Sequence, residues 1–88
     1  MKTKWSLFPW TEAEQVCQAI MAGNRGGRQP NDWQQKPDLF DDCFDAAIRH
    51  LAARRNGAIV DTEGVGHLAQ AAARILFMMW SDNNGGGK

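Results

Sequence analysis

"GVGHLAQAAAR", Gly64 to Arg74, runs on into "ILFMMW", Ile75 to Trp80, with almost no polar relief. Alanine is the strongest helix former, and the apolar residues here recur at helical spacing, so the segment reads as one helix. Its polar exceptions are His67, Gln70 and Arg74. At i, i+3 and i+7 these three share a stripe of the helix surface. The stripe is either an ordinary solvated edge or a lining that faces something the protein binds.

Two further helices precede it. In "PWTEAEQVCQAIMAGN" Thr11 is a good N-cap and Glu14, three residues on, completes a capping-box pattern. Ala13, Val16, Cys17, Ile20 and Met21 follow at helical spacing, and Gly23 is placed to end the helix in a left-handed conformation. Trp10, just ahead of the cap, can staple onto the first turn. "GNRGGRQPNDWQQKP" is a loop by composition, long for so small a domain. Within it Trp33 either pins the loop to the core or stacks on a planar ligand. Pro37 and Asp38 suit a helix start, and "DLFDDCFDAAIRHLAARRNG" carries an apolar stripe of Phe40, Phe44, Ala47, Ile48 and Leu51. Asn56 and Gly57 end that helix, and Asp61 or Thr62 is expected to cap the next. No stretch alternates long enough for a sheet and no segment repeats. The reading is all-α, a compact three-helix domain at about 11–22, 38–55 and 62–81. Residues 1–10 form an N-terminal arm, 11–81 a single helical domain and 82–88 a disordered tail.

Eighty-eight residues lie near the lower limit for a self-sufficient core. Such a core rarely gives more than roughly 3–5 kcal/mol of net stability, so self-association into a homo-oligomer is expected to complete it. Ten basic and ten acidic residues cancel, which argues against general nucleic-acid binding. There is no secretory signal and no run approaching the roughly 18 apolar residues of a membrane span, so a cytoplasmic location is expected. Cys17 and Cys43 are too few for a disulfide scaffold and are expected as buried free thiols.

The densest acidic constellation is Asp38, Asp41, Asp42 and Asp45. Asp42 and Asp45 form a D-x-x-D pair on adjacent turns, which lets two carboxylates share a hard cation such as magnesium. The plain alternative is a solvated face on which Asp41 or Asp45 pairs with Arg49. His50 and His67 are two histidines without a neighbouring cysteine, which makes no zinc site from sequence. "GNRGGR" follows no strand and lacks the Lys-Ser/Thr of a phosphate loop.

"FDAAIRHLAARRNGAIVDTEGVGHLAQAAARILFMMW" resembles the small helical domain of dATP/dGTP diphosphohydrolase-type proteins common in phage genomes, which are related to MazG-like nucleotide pyrophosphatases. The likeness falls on Asp45, Arg49, His50, Leu51, Gly57, Asp61, Glu63, His67, Leu68 and Ala69, and more loosely on "FPWTEAEQVCQAIMAGN" and "NDW". It implies an all-α domain that often associates, and a magnesium-dependent cut between the α- and β-phosphates of a nucleotide. Active relatives carry metal on E-x-x-E and E-x-x-D pairs. Here Glu12 and Glu14 stand at i, i+2, D-x-x-D is a shortened second motif, and Gln70 occupies the place of a second histidine.

On this resemblance His67, Gln70 and Arg74 line a polar seam opposite Asp45, Arg49 and His50. The leading expectation is a purine nucleotide bound by Arg49, His50, His67, Gln70 and Arg74, with Trp33 as stacking surface and Glu14, Asp42 and Asp45 holding magnesium. Catalytic residues are not assigned. The rival from another class is a non-enzymatic, phage-type interaction or inhibitor protein that meets a host protein through Trp5, Phe8 and Trp10.

Overall fold

A computed structural model describes residues 1–24 and 29–85. Three helices build the domain: α1 (Trp10–Gly23), α2 (Leu39–Arg55) and α3 (His67–Asn83). Short 3-10 turns occupy Trp5–Leu7 and Asp32–Gln35, and among the described residues there is no strand, only an isolated bridge between Val60 and Gly66. α3 is the central helix, with α2 along most of its length and α1 packed on it to a lesser extent.

α1 begins two residues earlier than a Thr11 cap implies. Pro9 takes the cap position in extended conformation, and its carbonyl accepts the first helical hydrogen bond from Ala13 N–H at 2.9 Å. The Trp10 indole N–H donates to the Trp5 carbonyl at 3.1 Å, which ties the preceding 3-10 turn to the helix start. At the other end Gly23 stays helical and Asn24 is the C-cap, so the expected left-handed glycine does not occur there. The glycine-rich stretch Arg25–Arg28 lies outside the described residues.

α2 ends as its sequence indicates. Gly57 adopts φ 105°, its N–H donates to the Arg54 carbonyl, and Ala58 N–H reaches back to Ala53. This is the Schellman pattern, for which glycine is favoured because a Cβ is strained at positive φ. Arg54 and Arg55 lie in the last turn, where their charges oppose the helix dipole.

The start of α3 departs most from expectation. It begins at His67 and not near residue 62, with Gly66 as N-cap and no side-chain cap. Residues 59–67 form a miniature hairpin instead: Asp61 N–H donates to Val65, Gly64 N–H to Asp61, and His67 N–H to Ile59. Gly64 sits at φ 83°, the left-handed position a three-residue hairpin turn requires. Asp61 therefore organises this turn and caps no helix. α3 also runs two residues into the expected tail, through Asp82 and Asn83. Residues 86–88 lie outside the described part.

The buried residues are mostly small: Ala19, Cys43, Ala46, Ala47, Ala71 and Ala73, with Leu39 and Ser81. Small side chains at the contact let helix axes approach closely, but they bury little apolar area each. The expected stripe of α2 is rotated as a result. Ala47 is inside, whereas Phe44, Ile48 and Leu51 are exposed, because Leu39, Cys43 and Ala46 take the inward positions. Cys43 is buried as expected; Cys17 is exposed on α1, where Ala19 is the buried residue. No described helix is long and apolar enough to cross a membrane.

Candidate functional site

Two clefts open side by side along α3, and Lys36 and Arg74 line both. The larger, about 550 Å³, lies between the end of α1, the 3-10 turn at Asp32–Gln35, the 59–67 hairpin and α3. Its walls carry Asp32, Trp33, Asp61, Glu63, Gln70 and Phe77. The smaller, about 310 Å³, is lined by Asp42, Asp45, Ala46 and Arg49 besides the two shared cations. The D-x-x-D spacing on α2 thus turns both carboxylates into one recess, and Arg49, one turn on from Asp45, follows them.

Lys36 precedes Pro37, so its backbone is held extended as the chain enters α2. Its Nζ pairs with the Asp42 carboxylate at 2.9 Å, with both side chains about half exposed. The plain alternative within the helix does not form: among the described residues neither Asp41 nor Asp45 pairs with Arg49, and the ion pair on this face is Lys36–Asp42. Arg74 points Nη1 toward the Cys43 thiol at 3.8 Å, a long contact that leaves the guanidinium's other donors for the clefts.

The hairpin wall is built on one carboxylate. Asp61 Oδ1 accepts the backbone N–H groups of Glu63 at 2.8 Å and Val65 at 3.0 Å, and Oδ2 accepts the Gln70 side-chain amide at 3.0 Å. Gln70 also donates to the Val65 carbonyl at 3.2 Å. The Val65 and Glu63 N–H groups stabilise the anion and hold the Asp61 carboxyl below its ordinary range; desolvation opposes them, and the Gln70 amide adds a lesser pull in their direction. Gln70 is a strut of the wall, and its partner is the hairpin and not the α2 seam.

His67 meets α2 through His50, as Arg74 does through Cys43. His50 Nδ1 and His67 Nδ1 lie 2.9 Å apart, so one carries the hydrogen and the other accepts it. Burial, then the nearby His67, Arg74 and Arg49, push the His50 imidazole below its ordinary value, with Asp61 opposing weakly. Neither histidine lines the two clefts.

Trp33 stacks on Phe77 with ring centroids 4.0 Å apart and planes 14° off parallel, and meets Trp80 edge-on at 5.1 Å. It pins the Asp32–Gln35 turn to α3 and still borders the large cleft. Glu14 is exposed on α1 and lines neither cleft. The cause is topological: α1 packs on α3 and makes no comparable contact with α2. Among the described residues no three His, Cys, Asp or Glu side chains are grouped to hold a metal. Trp5, Phe8 and Trp10 cluster on the outside, 65%, 48% and 57% exposed, with Trp10 facing Phe8 edge-on at 5.1 Å.

Lys36 and Asp32 were not marked by sequence reasoning. Lys36 stands in a loop with no periodicity to give it a face, and only its position before the proline at the mouth of α2 hints that it turns toward Asp42.

Fold and clefts together define a small all-α domain with acidic and basic groups from separate segments drawn into one trench. The family model dATP/dGTP diphosphohydrolase, N-terminal, matches residues 1–88, and the chain belongs to that family. The relation to MazG-like proteins is consistent with it. No curated protein and no solved structure matches the chain.

Proposed function

We propose that this domain binds a purine deoxynucleoside triphosphate along the joined clefts, with the phosphates at Lys36, Arg74 and Arg49. The observation that carries the reading is the sharing of Lys36 and Arg74 by both clefts. Two cations at the neck of a trench provide a seat for a phosphate chain, with the larger cleft left for base and sugar. Arginine is suited to grip phosphate oxygens in pairs, and lysine adds a mobile point charge. Lys36, exposed and held only by a surface ion pair, can exchange Asp42 for a phosphate at little expense.

The donor set of the small cleft fits a magnesium ion that arrives with the phosphates. Two carboxylates, Asp42 and Asp45, together with phosphate oxygens and waters, match what this ion takes, whereas an all-protein cage is not assembled. When bound, magnesium supplies charge neutralisation at the phosphate chain. Arg49 and Arg74 orient that chain, and Trp33 borders the cleft where a base would lie. Hydrolysis to a nucleoside monophosphate and pyrophosphate is the activity the family description suggests.

Calorimetric titration with dATP and dGTP, with and without magnesium, tests the binding, and chromatography of the incubated nucleotide tests the cleavage. Binding that Arg74→Ala weakens at least tenfold while the helix content is kept supports the reading. No heat from either nucleotide up to millimolar concentration removes it. A second reading, an interaction module for a protein partner such as a host protein, rests on the exposed Trp5–Phe8–Trp10 cluster. It gains if Trp10→Ala abolishes function and Arg74→Ala does not.

A further inference from the structure

We infer that the His50–His67 pair takes up one proton when a triphosphate settles on Arg49 and Arg74, so that anion binding in the clefts and protonation at the helix seam favour each other. The inference rests on the phosphate reading above. Cys43 and His50 stand seven residues apart on α2, as His67 and Arg74 do on α3. The contacts His50–His67 and Cys43–Arg74 are therefore two rungs of one seam, two helical turns or about 10 Å apart. Arg74 lines both clefts and Arg49, the chain neighbour of His50, lines the smaller, whereas neither imidazole lines a cleft. A bound phosphate chain thus reaches the pair through charge and not through contact.

The pair is built to hold a single extra proton. Its ring centroids lie 5.2 Å apart, the 2.9 Å between the Nδ1 atoms plus a ring radius at each end, so the rings aim straight at each other. In the neutral pair one Nδ1–H donates and the other Nδ1 accepts. A proton from water, added at the outer nitrogen of the donor ring, leaves that hydrogen bond in place and makes it charge-assisted. A second would set two hydrogens face to face, so the two rings titrate as one unit. In the free domain burial, then His67, Arg74 and Arg49 disfavour the proton on His50, and Asp61 on the hairpin is the anionic group that favours it. Phosphate charge on the two arginines cancels their repulsion and adds attraction. By reciprocity the protonated pair strengthens anion binding by the same factor.

The test uses inorganic tripolyphosphate, without magnesium, on the full chain. Sodium chloride of equal ionic strength is the reference, because salt alone screens the arginine charges. The chain has two histidines, so every imidazole resonance followed against pH belongs to this pair. Tripolyphosphate should raise the proton affinity of the pair about threefold over the salt reference, with both imidazoles moving together. Arg74→Ala should raise that affinity in the free chain and blunt the response to tripolyphosphate, and Arg49→Ala serves if Arg74→Ala fails to fold. The wild-type titration stands without either variant. An imidazole titration that matches the salt reference while calorimetry shows tripolyphosphate bound overturns the linkage and leaves the phosphate site standing. So does a response undiminished in a folded arginine variant. No binding of tripolyphosphate up to millimolar concentration overturns both.

Discussion

His50 and His67 face each other at Nδ1 across 2.9 Å, which leaves room for one shared hydrogen and not for two. Folding depresses the His50 pKa through burial and the charges of His67, Arg74 and Arg49. A group of this sign contributes stability that is present above its unfolded value, about 6.5, and is lost as pH falls toward the lowered folded value. The thermal midpoint followed by circular dichroism should therefore decline as pH falls below about 6.5, and His50→Gln should flatten that decline. Asp61 gives a separate, lower limb. Its carboxyl is held down by the Val65 and Glu63 N–H groups, so its contribution persists above the ordinary carboxylate range and fails below about pH 4 as it protonates. Asp61→Ala should lower the midpoint at neutral pH, since two N–H groups lose their acceptor, and should remove the acid limb. A variant that melts like wild type at every pH would show that the hairpin stands without its carboxylate.

At the scale of elements, the hairpin at 59–67 and the anchored turn at Asp32–Gln35 decide where the cleft walls stand. A Cβ on Gly64 would meet nothing within 4 Å, yet its φ of 83° is one that side chains rarely adopt. Gly64→Ala should thus cost about 1 kcal/mol from backbone strain alone. Urea unfolding would show a lower midpoint with an unchanged slope. Trp33→Ala removes the stack on Phe77 and the edge contact with Trp80. Full burial would make that worth about 3–5 kcal/mol; for a half-buried ring about 2 kcal/mol is expected, and Trp33→Phe should recover most of it. The legibility of these elements differed for physical reasons. Alanine-rich periodicity and the Asn56-Gly57 stop are local signals, so α2 and the body of α3 could be placed from sequence. The start of α3 could not, because Asp61 suits a helix cap and an Asx-type turn equally and only the pairing of Ile59 with His67 chooses between them. The D-x-x-D pair was readable as sharing a helix side. That Lys36 would join it, and that Glu14 would not, depends on which helices touch.

For the molecule as a whole, the inward surface is mostly alanine while large apolar residues remain outside. Phe44, Ile48 and Leu51 stand at i, i+4 and i+7 on α2, and Leu68, Ile75, Leu76 and Met79 at helical spacing on α3, each 41–54% exposed. Scattered exposed leucines need no explanation, but two stripes on the principal helix pair bring the large side chains where water would have to cover them. With so thin a core, burying such stripes against a second copy would add stability. The fold therefore predicts that stability depends on protein concentration, which neither the clefts nor the hairpin requires. Sedimentation velocity across a hundredfold concentration range should show growth in mass, and the thermal midpoint should rise over the same range. Ile48→Glu or Leu76→Glu, each exposed in the single chain, should abolish both trends while leaving helix content at low concentration intact. A chain that sediments as one copy throughout, with a midpoint independent of concentration, would place these stripes in contact with water and leave the alanine interface as its whole support.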